Sequence, residues 1–529
     1  FKVDMYLLPL LLLSCASAYK IAIFAPDMAN SQILFNSRVA EELAKAGHDV
    51  TVYFIHMYDI KKKMLNPAPK PRMRYITINA THGVDYGEME KLQSTMAFGD
   101  FPIWDSRIRA MFAFFGEMYK ACERVVQNDY IMKEIEREKY DIAFAHMYNY
   151  CPIGIIEKAK IPTWIWLSSG ALTDQMAEAV GVPLPPSYCQ PMLMDASDEM
   201  SFPERVKSFL ATVMMKLFMK SMTINKETKV FRDAYGQDFP DLYDVSRKAP
   251  LVMVNSNELY DFARPTLHKV VNIGGLGLKK ADAKPLKGEF EKRVARAKGH
   301  FVFTFGSIAP MRLMPDEWKD AYFNAFAQFP DVEFFVRYED PELIQSSLPK
   351  NVYADKWLPQ TDLLQHPKAL GLITHGGYNS LQEALHAAVP LLATALFGDQ
   401  YRNVNLAEKL GVGINMRKAD VSQEFIAASI KRLIDDTTLK ENALRIQSMI
   451  STKPVSAETL LVKWTEFAAK HKNLDNLVPA GNNLPLLVYH SVDVIAFLSA
   501  VVLVVAYLAF ALIRCTCNIL LCKQKQKRD

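Results

Sequence analysis

Between Trp357 and Gln400 the chain gathers side chains suited to holding a phosphate, a ribose and a base. The centre of this stretch is Ile373-Thr374-His375-Gly376-Gly377-Tyr378-Asn379-Ser380, an apolar run followed by two glycines and a helix-forming segment from about Asn379. Two glycines let the main chain approach a ligand closely, and the unpaired N–H groups at a helix N-terminus favour an anion. His375, Asn379 and Ser380 add side-chain donors for phosphate oxygens. Glu383 follows Ser380 and Asn379 by three and four residues, on the same helical face, where a carboxylate can accept from ribose hydroxyls. Trp357 offers a flat ring on which a base can stack. Taken singly, such a histidine is an ordinary turn residue and such a tryptophan an ordinary core residue; their convergence is what carries the reading.

These groups need strand-to-helix junctions to hold them, and the chain supplies two sets. In the first half, apolar runs at 19–24 and 50–55 flank a helical pattern from Leu34 to Lys45 stopped by Gly47, which predicts a βαβ unit and a parallel sheet. Further strands are expected at 141–145 and 163–167, with a helix at 153–160 between them. The first loop lacks Gly-x-Gly-x-x-Gly, so nothing assigns a nucleotide to this half. The segment 202–219, methionines and phenylalanines broken by lysines, is amphipathic; core packing is the default for such a stripe, with a membrane-facing or acceptor-lining face as the other reading. A charged linker, 277–298, precedes a second α/β pattern with strands at 300–304, 332–337, 370–374 and 391–394, a helix at 318–328 and closing helices near 470.

With 529 residues, two globular domains are expected, and a net charge of +4 implies no field of nucleic-acid size. An apolar block from Met5 to Leu13, closed by Ala16 and Ala18, fits a signal peptide at 1–18. The uncharged run 494–513 is long enough to cross a bilayer. Arg514 and the basic tail 514–529 place that tail in the cytosol and the domains in a lumen, as a single-pass type I protein. Lys525 and Lys527 resemble a dilysine signal for the endoplasmic reticulum, a plain basic flank being the alternative. Of the cysteines ahead of the span, Cys122, Cys151 and Cys189 remain after cleavage, so at most one internal disulfide forms. Asn79-Ala80-Thr81 is an N-glycosylation acceptor at Asn79.

Nearly the whole chain resembles the UDP-glycosyltransferase family, the UDP-glucuronosyltransferase-like membrane enzymes. The resemblance rests on Trp357-Leu358-Pro359-Gln360, His366-Pro367, Thr374 to Gly377, Asn379-Ser380, Glu383, Val389-Pro390 and Phe397-Gly398-Asp399-Gln400, with Phe305-Gly306-Ser307 and Gly47 to Thr51 in support. It implies an α/β fold of two facing Rossmann-like domains of GT-B type plus a C-terminal transmembrane helix: acceptor domain 19–276, UDP-sugar domain 299–470 and a stalk 471–493. It further implies that Trp357 stacks on uracil, Gln360 and Glu383 bind the ribose, Ser307, His375, Gly377, Asn379 and Ser380 hold the diphosphate, and Asp399 and Gln400 bind sugar hydroxyls. The implied reaction is inverting transfer of glucose or glucuronic acid from a UDP-sugar, a co-substrate, to a small lipophilic acceptor, with no metal or other cofactor. A member that binds without efficient turnover is the alternative, and a homo-oligomer stays open. In vertebrate glucuronosyl members an arginine suited to a glucuronate carboxylate falls where this chain has Asn255.

The catalytic pair departs from the family. Where most members carry a basic histidine after the first strand, this chain reads Asn30-Ser31-Gln32, and glutamine cannot take a proton. The position of the partner aspartate holds His146. An imidazole there, unperturbed near pH 6.5, would serve as general base, with Gln32 orienting the imidazole or the acceptor. Two other readings stand beside it: a structural loop histidine, or acceptors such as amines and ionised phenols that need no base.

Overall fold

The inner strands of the first half are short, nearly continuous apolar runs, as a sheet covered on both faces requires, whereas the edge strand Met73–Asn79 is partly exposed. The computed structural model describes residues 18–58, 70–99, 106–278, 283–307 and 309–526. The expected signal peptide, save Ala18, and Lys527 of the tail lie outside them. Seven parallel strands form the first sheet in the order β3-β2-β1-β4-β5-β6-β7. They are β1 Lys20–Pro26, β2 Asp49–His56, β3 Met73–Asn79, β4 Ile142–His146, β5 Trp164–Ser168, β6 Leu251–Val254 and β7 Val270–Asn272. The second sheet is parallel with order β10-β9-β8-β11-β12-β13. Its strands are β8 Gly299–Thr304, β9 Val332–Arg337, β10 Val352–Asp355, β11 Ala369–Thr374, β12 Leu391–Ala393 and β13 Gly413–Asn415. In both sheets the strand order reverses beside the first strand, which opens a crevice at the strands' C-terminal ends.

Three local expectations change. The first helix begins at Asn30, not Leu34, so Gln32 lies in its first turn and not in a loop. Polar residues can open a helix because first-turn N–H groups have no intrahelical partner. The helix Ala457–His471, read from sequence with the second half, packs Leu461, Ala468 and Ala469 into the core around Ile21, Phe144 and Ile165 of the first sheet. Reciprocally, Ala97 and Phe98 of the helix Tyr86–Phe98 pack with the second core, beside Phe305 and Trp318. Finally, the 202–219 stripe forms the expected helix Phe202–Met219 but does not pack into a core: its apolar face is exposed.

A disulfide joins Cys122 to Cys151, leaving Cys189 as a buried free thiol. Cys151 opens the helix Cys151–Lys158, whose N-terminus also receives Glu227: the Tyr150 N–H donates to its carboxylate at 2.7 Å. Burial raises the pKa of this carboxyl to about 8, even though the backbone N–H groups of Tyr150 and Cys151 pull the other way. The disulfide and Glu227 together anchor the loop that leaves β4.

A separate unit from Val478 onward contains the helix Val492–Gln526. Its apolar stretch, Val492–Leu521, is 30 residues, long enough to cross a bilayer by length and composition. The helix continues past the expected end at 513 because a single arginine, Arg514, does not interrupt helical geometry and Ile519, Leu520 and Leu521 renew the apolar run.

Glu227 yields a pH-dependent prediction. Its folded pKa stands above its unfolded value, so its contribution is complete at low pH and declines as pH rises from about 4.5 to about 8. Glu227→Gln keeps the acceptor for the Tyr150 N–H without the ionisation. The melting temperature of this variant should exceed wild type by a margin that grows over that window, whereas Glu227→Ala should lose about 1–3 kcal/mol. A pH-independent difference between Gln and Glu proteins would refute the assignment.

Candidate active site

The sequence-assigned donor residues follow the C-terminal ends of β8, β10, β11 and β12. Thr374 ends β11 and the helix Tyr378–His386 starts after Gly377, so three residues make the turn. The ring of His375 fills it: a Cβ on Gly306 would lie 2.7 Å from that ring and one on Gly377 2.6 Å. Gly306 also has φ +72°, a left-handed conformation that glycine adopts without strain. Arg337, at the end of β9, donates to the Gly306 carbonyl and fixes the loop that carries Ser307. Burial, aided by the Arg337 charge, lowers the pKa of His375 to about 4, so its imidazole is neutral at physiological pH and retains one N–H to donate.

Trp357 is 52% exposed, an open face for stacking, and its backbone N–H donates to the Asp355 carboxylate at 3.2 Å. Gln360 opens the helix Gln360–Gln365 and donates to Glu383 at 2.8 Å, which brings the two ribose candidates together. Burial raises the pKa of Glu383, opposed first by the charge of Arg38 and then by the Gln360 hydrogen bond. Ser380 is buried 3.5 Å from the Gln360 amide. Asp399 immediately precedes the helix Gln400–Lys409, its carboxylate accepts from the Asn403 amide at 2.9 Å, and burial shifts its pKa upward. The side-chain carbonyl of Gln400 accepts from the Leu396 and Phe397 N–H groups at 2.9 and 3.0 Å.

Several residues that sequence reasoning did not place join the two sheets here. Asn255, following β6, is buried; its amide donates to the Ser169 carbonyl at 2.9 Å and to Asn379 Oδ1 at 3.0 Å. Tyr260 donates to Gln382 at 3.0 Å, and Asp261 pairs with Arg402. Asn255 and Asn379 are 124 positions apart, and no local pattern marks the pairing.

At the acceptor side His146 ends β4 at 1% exposure, with no hydrogen-bond partner on either ring nitrogen. Burial, with no neighbouring charge to oppose it, lowers its pKa to about 3 in place of the expected 6.5. Gln32 does not orient this imidazole; its amide donates instead to the Tyr148 hydroxyl at 2.9 Å, and its carbonyl is buried without a partner. Tyr148, whose ring centroid lies 5.0 Å from that of His146, has its hydroxyl pKa pushed up to about 12 by burial and by the charge of Asp399. Tyr148 therefore stands between the acceptor pair and a sugar-site candidate, a position that its place in a loop did not reveal. Asn79, at the end of edge strand β3, is exposed and holds Thr81 through its side-chain oxygen at 2.8 Å. Among the described residues no cluster of three His, Cys, Asp or Glu side chains is arranged to hold a metal ion.

The family model for UDP-glucoronosyl and UDP-glucosyl transferases matches residues 21–528. A Caenorhabditis elegans protein named as a UDP-glucuronosyltransferase, ugt-46, is 29% identical over 496 residues, covering 91% of each chain. Human UDP-glucuronosyltransferase 1A8 is 27% identical over 508 residues, covering 94% of this chain and 92% of its own. Among solved structures, the glycosyltransferase VinC in complex with DTDP aligns with a TM-score of 0.54 at 13% identity, over 86% of this chain and 99% of its own. The glycotransferase of kitacinnamycin aligns with the same TM-score at 14% identity, over 86% and 100%.

Trp357→Ala, His375→Ala and Glu383→Ala should each weaken UDP binding by about 1–3 kcal/mol, read by calorimetry, while leaving the melting temperature within a few degrees of wild type. Unchanged UDP affinity in all three proteins would remove the donor-site assignment.

Proposed function

The chain belongs to the UDP-glucoronosyl and UDP-glucosyl transferase family, and from that premise we propose that it transfers a hexosyl group, with inversion, from a UDP-sugar to a small lipophilic acceptor. The observation that carries the reading is the cradle around His375, where Gly306 and Gly377 make room for the imidazole ring beside the N-terminus of the helix Tyr378–His386, an arrangement of donors suited to a diphosphate. In this reading Ser307, His375, Gly377, Asn379 and Ser380 hold the diphosphate and stabilise charge as UDP departs. Trp357 stacks on the base, Gln360 and Glu383 bind the ribose, and Asp399 with the amide of Gln400 binds sugar hydroxyls. Gln32, in the first turn of the helix Asn30–Lys45, and His146, at the end of β4, belong to the first half and the cradle to the second; in this reading the acceptor, held by the first half, attacks the anomeric carbon opposite the departing UDP.

A neutral hexose, glucose, fits better than glucuronic acid. Asn255 offers no positive charge to a carboxylate, and its amide already serves two protein carbonyl oxygens. The acceptor pair supports a further restriction. A neutral, deeply buried His146 and the free carbonyl of Gln32 can accept hydrogen bonds from an acceptor, but a base with a pKa near 3 draws a proton weakly. Amines and phenols, which bring their own nucleophilicity, are the acceptors this arrangement favours over aliphatic alcohols.

The test is a donor panel on matched amine, phenol and alcohol acceptors, with product mass as the readout. Product from UDP-glucose with the amine and phenol should exceed alcohol product by about a hundredfold or more, the usual worth of an absent general base. Across substituted phenols the rise in rate with pH should track each phenol's own pKa. Fast alcohol transfer with a fixed limb near pH 6.5 that vanishes in His146→Ala would show instead that His146 is an ordinary general base. Failure of every donor would favour a member that binds without turnover.

We assign the protein to the endoplasmic reticulum membrane with its domains in the lumen, on the strength of the apolar helix Val492–Leu521, the basic tail and the Lys525/Lys527 spacing. Replacing both lysines with serine should send full-length protein onward to the cell surface, visible by microscopy; full retention would refute the dilysine reading.

A further inference from the structure

The donor candidates all belong to the second half of the chain, yet the first half brings a cation to them. Arg38 lies in the third turn of the helix Asn30–Lys45. Its side chain runs along the segment that leaves β7: a Cβ on Gly277 would lie 3.4 Å from both Arg38 Cδ and Arg38 Nε. That segment rests in turn on the donor side. A Cβ on Gly274 would lie 2.9 Å from the side-chain oxygen of Gln382, and one on Gly275 2.5 Å from the His386 ring. The Gln365 amide also donates to the Leu278 carbonyl at 3.4 Å. Gln382 and His386 sit on either side of Glu383 in the helix Tyr378–His386, so the segment 274–278 brings Arg38 beside the ribose candidates. Of the charges around Glu383, that of Arg38 most strongly opposes the effect of burial.

The chain itself leaves this guanidinium unused. Arg38 is half-buried, and among the described residues none forms a hydrogen bond or an ion pair with it. An arginine on a helix ordinarily turns to a carboxylate three or four residues away. Glu41 and Glu42 occupy those places, but Lys45 and Lys70 hold Glu41, and Lys45 holds Glu42 as well. A cation drawn partly out of water without a partner carries a penalty that a ligand can remove.

The group opposite says which ligand atoms suit the gap. Glu383 accepts from the Gln360 amide at 2.8 Å and attracts Arg38 without forming an ion pair with it. Between a fork of N–H donors and a carboxylate there is a place for a group that accepts from the first and donates to the second. A hydroxyl does both. Two neighbouring hydroxyls, as on a ribose, can meet the planar fork together. Phosphate oxygens would satisfy Arg38 but would be repelled by Glu383 whenever its carboxyl is ionised.

We propose that Arg38 is a donor-binding residue supplied by the acceptor half, its guanidinium donating to the ribose oxygens of the bound UDP-sugar while the ribose hydroxyls donate to Glu383. This inference rests on the donor-site reading and extends it. The ribose is held from both halves, by Gln360 and Glu383 on one side and by Arg38 on the other. A ligand that touches both halves favours the arrangement in which all of its contacts form together, so the nucleotide itself draws the acceptor pair toward the sugar.

The test is calorimetry on the full chain in detergent, with UDP and 2′,3′-dideoxy-UDP as ligands. Arg38 is half-buried and unpartnered, so Arg38→Met leaves no protein group without its partner, and Arg38→Gln provides a second variant that keeps an amide donor. Arg38→Met should weaken UDP binding about tenfold or more, the worth of a hydrogen bond from a charged donor, with Arg38→Gln intermediate. Both variants should bind the dideoxy nucleotide as wild type does, because the atoms that Arg38 serves are missing from it. A loss of equal size for both nucleotides would overturn the proposal, assigning Arg38 to the diphosphate or to the fold. Unchanged UDP affinity in Arg38→Met and Arg38→Gln, beside a weakened Glu383→Gln, would overturn it while leaving the donor site in place. Unchanged affinity in Glu383→Gln as well would remove the donor-site reading and this inference with it.

Discussion

A buried polar seam joins the two sheets, and the geometry of the site depends on it. Asn255 with Asn379, Ser256 with Tyr378, Tyr260 with Gln382 and Asp261 with Arg402 pair along one face of the helix Tyr378–His386 and the start of Gln400–Lys409. Each of these groups is removed from water, so each carries a penalty unless its partner is in place. Apolar packing would tolerate a sliding contact, but hydrogen bonds between buried groups accept only one register. The helix that follows the His375 turn is thus fixed by residues of the segment after β6, and the candidate residues of the two halves stand in a set relation to one another.

Burial then sets the electrostatics. His146 and His375 are both neutral, at about 3 and about 4, because neither imidazole has a carboxylate beside it to stabilise the charged form. In the proposed reading, neutrality at His375 costs nothing, since a single N–H is what a phosphate oxygen needs, whereas at His146 a weakly basic imidazole shifts the proton problem to the acceptor. Tyr148, raised to about 12, remains a neutral phenol beside Gln32 and can act as a hydrogen-bonding group but not as a base. The disulfide at Cys151 and the carboxyl of Glu227 hold the segment after β4 on which Tyr148 is displayed.

The gathering of the candidate donor residues was legible because it is local. The run from Ile373 to Glu383 contains the strand end, the turn glycines and the helix start in sequence, and the helical period alone puts Asn379, Ser380 and Glu383 together. The alternation of strands and helices likewise dictated two parallel sheets, since each apolar run must be covered on both faces. What the sequence could not decide was whatever depends on residues distant along the chain. Gln32 and Tyr148 meet across 116 positions, Asn255 and Asn379 across 124, and Asp261 and Arg402 across 141, with no periodicity to announce them. Nor does a sequence state how deeply a side chain is buried: the same histidine at position 146 is a base near pH 6.5 in water and a nearly inert imidazole inside this sheet, and the same amphipathic helix at 202–219 is a core element or a surface one according to what the rest of the chain leaves uncovered. Local spacing specifies which groups can lie together on one element, whereas desolvation and partnership are properties of the assembled neighbourhood, and these only the tertiary structure decides.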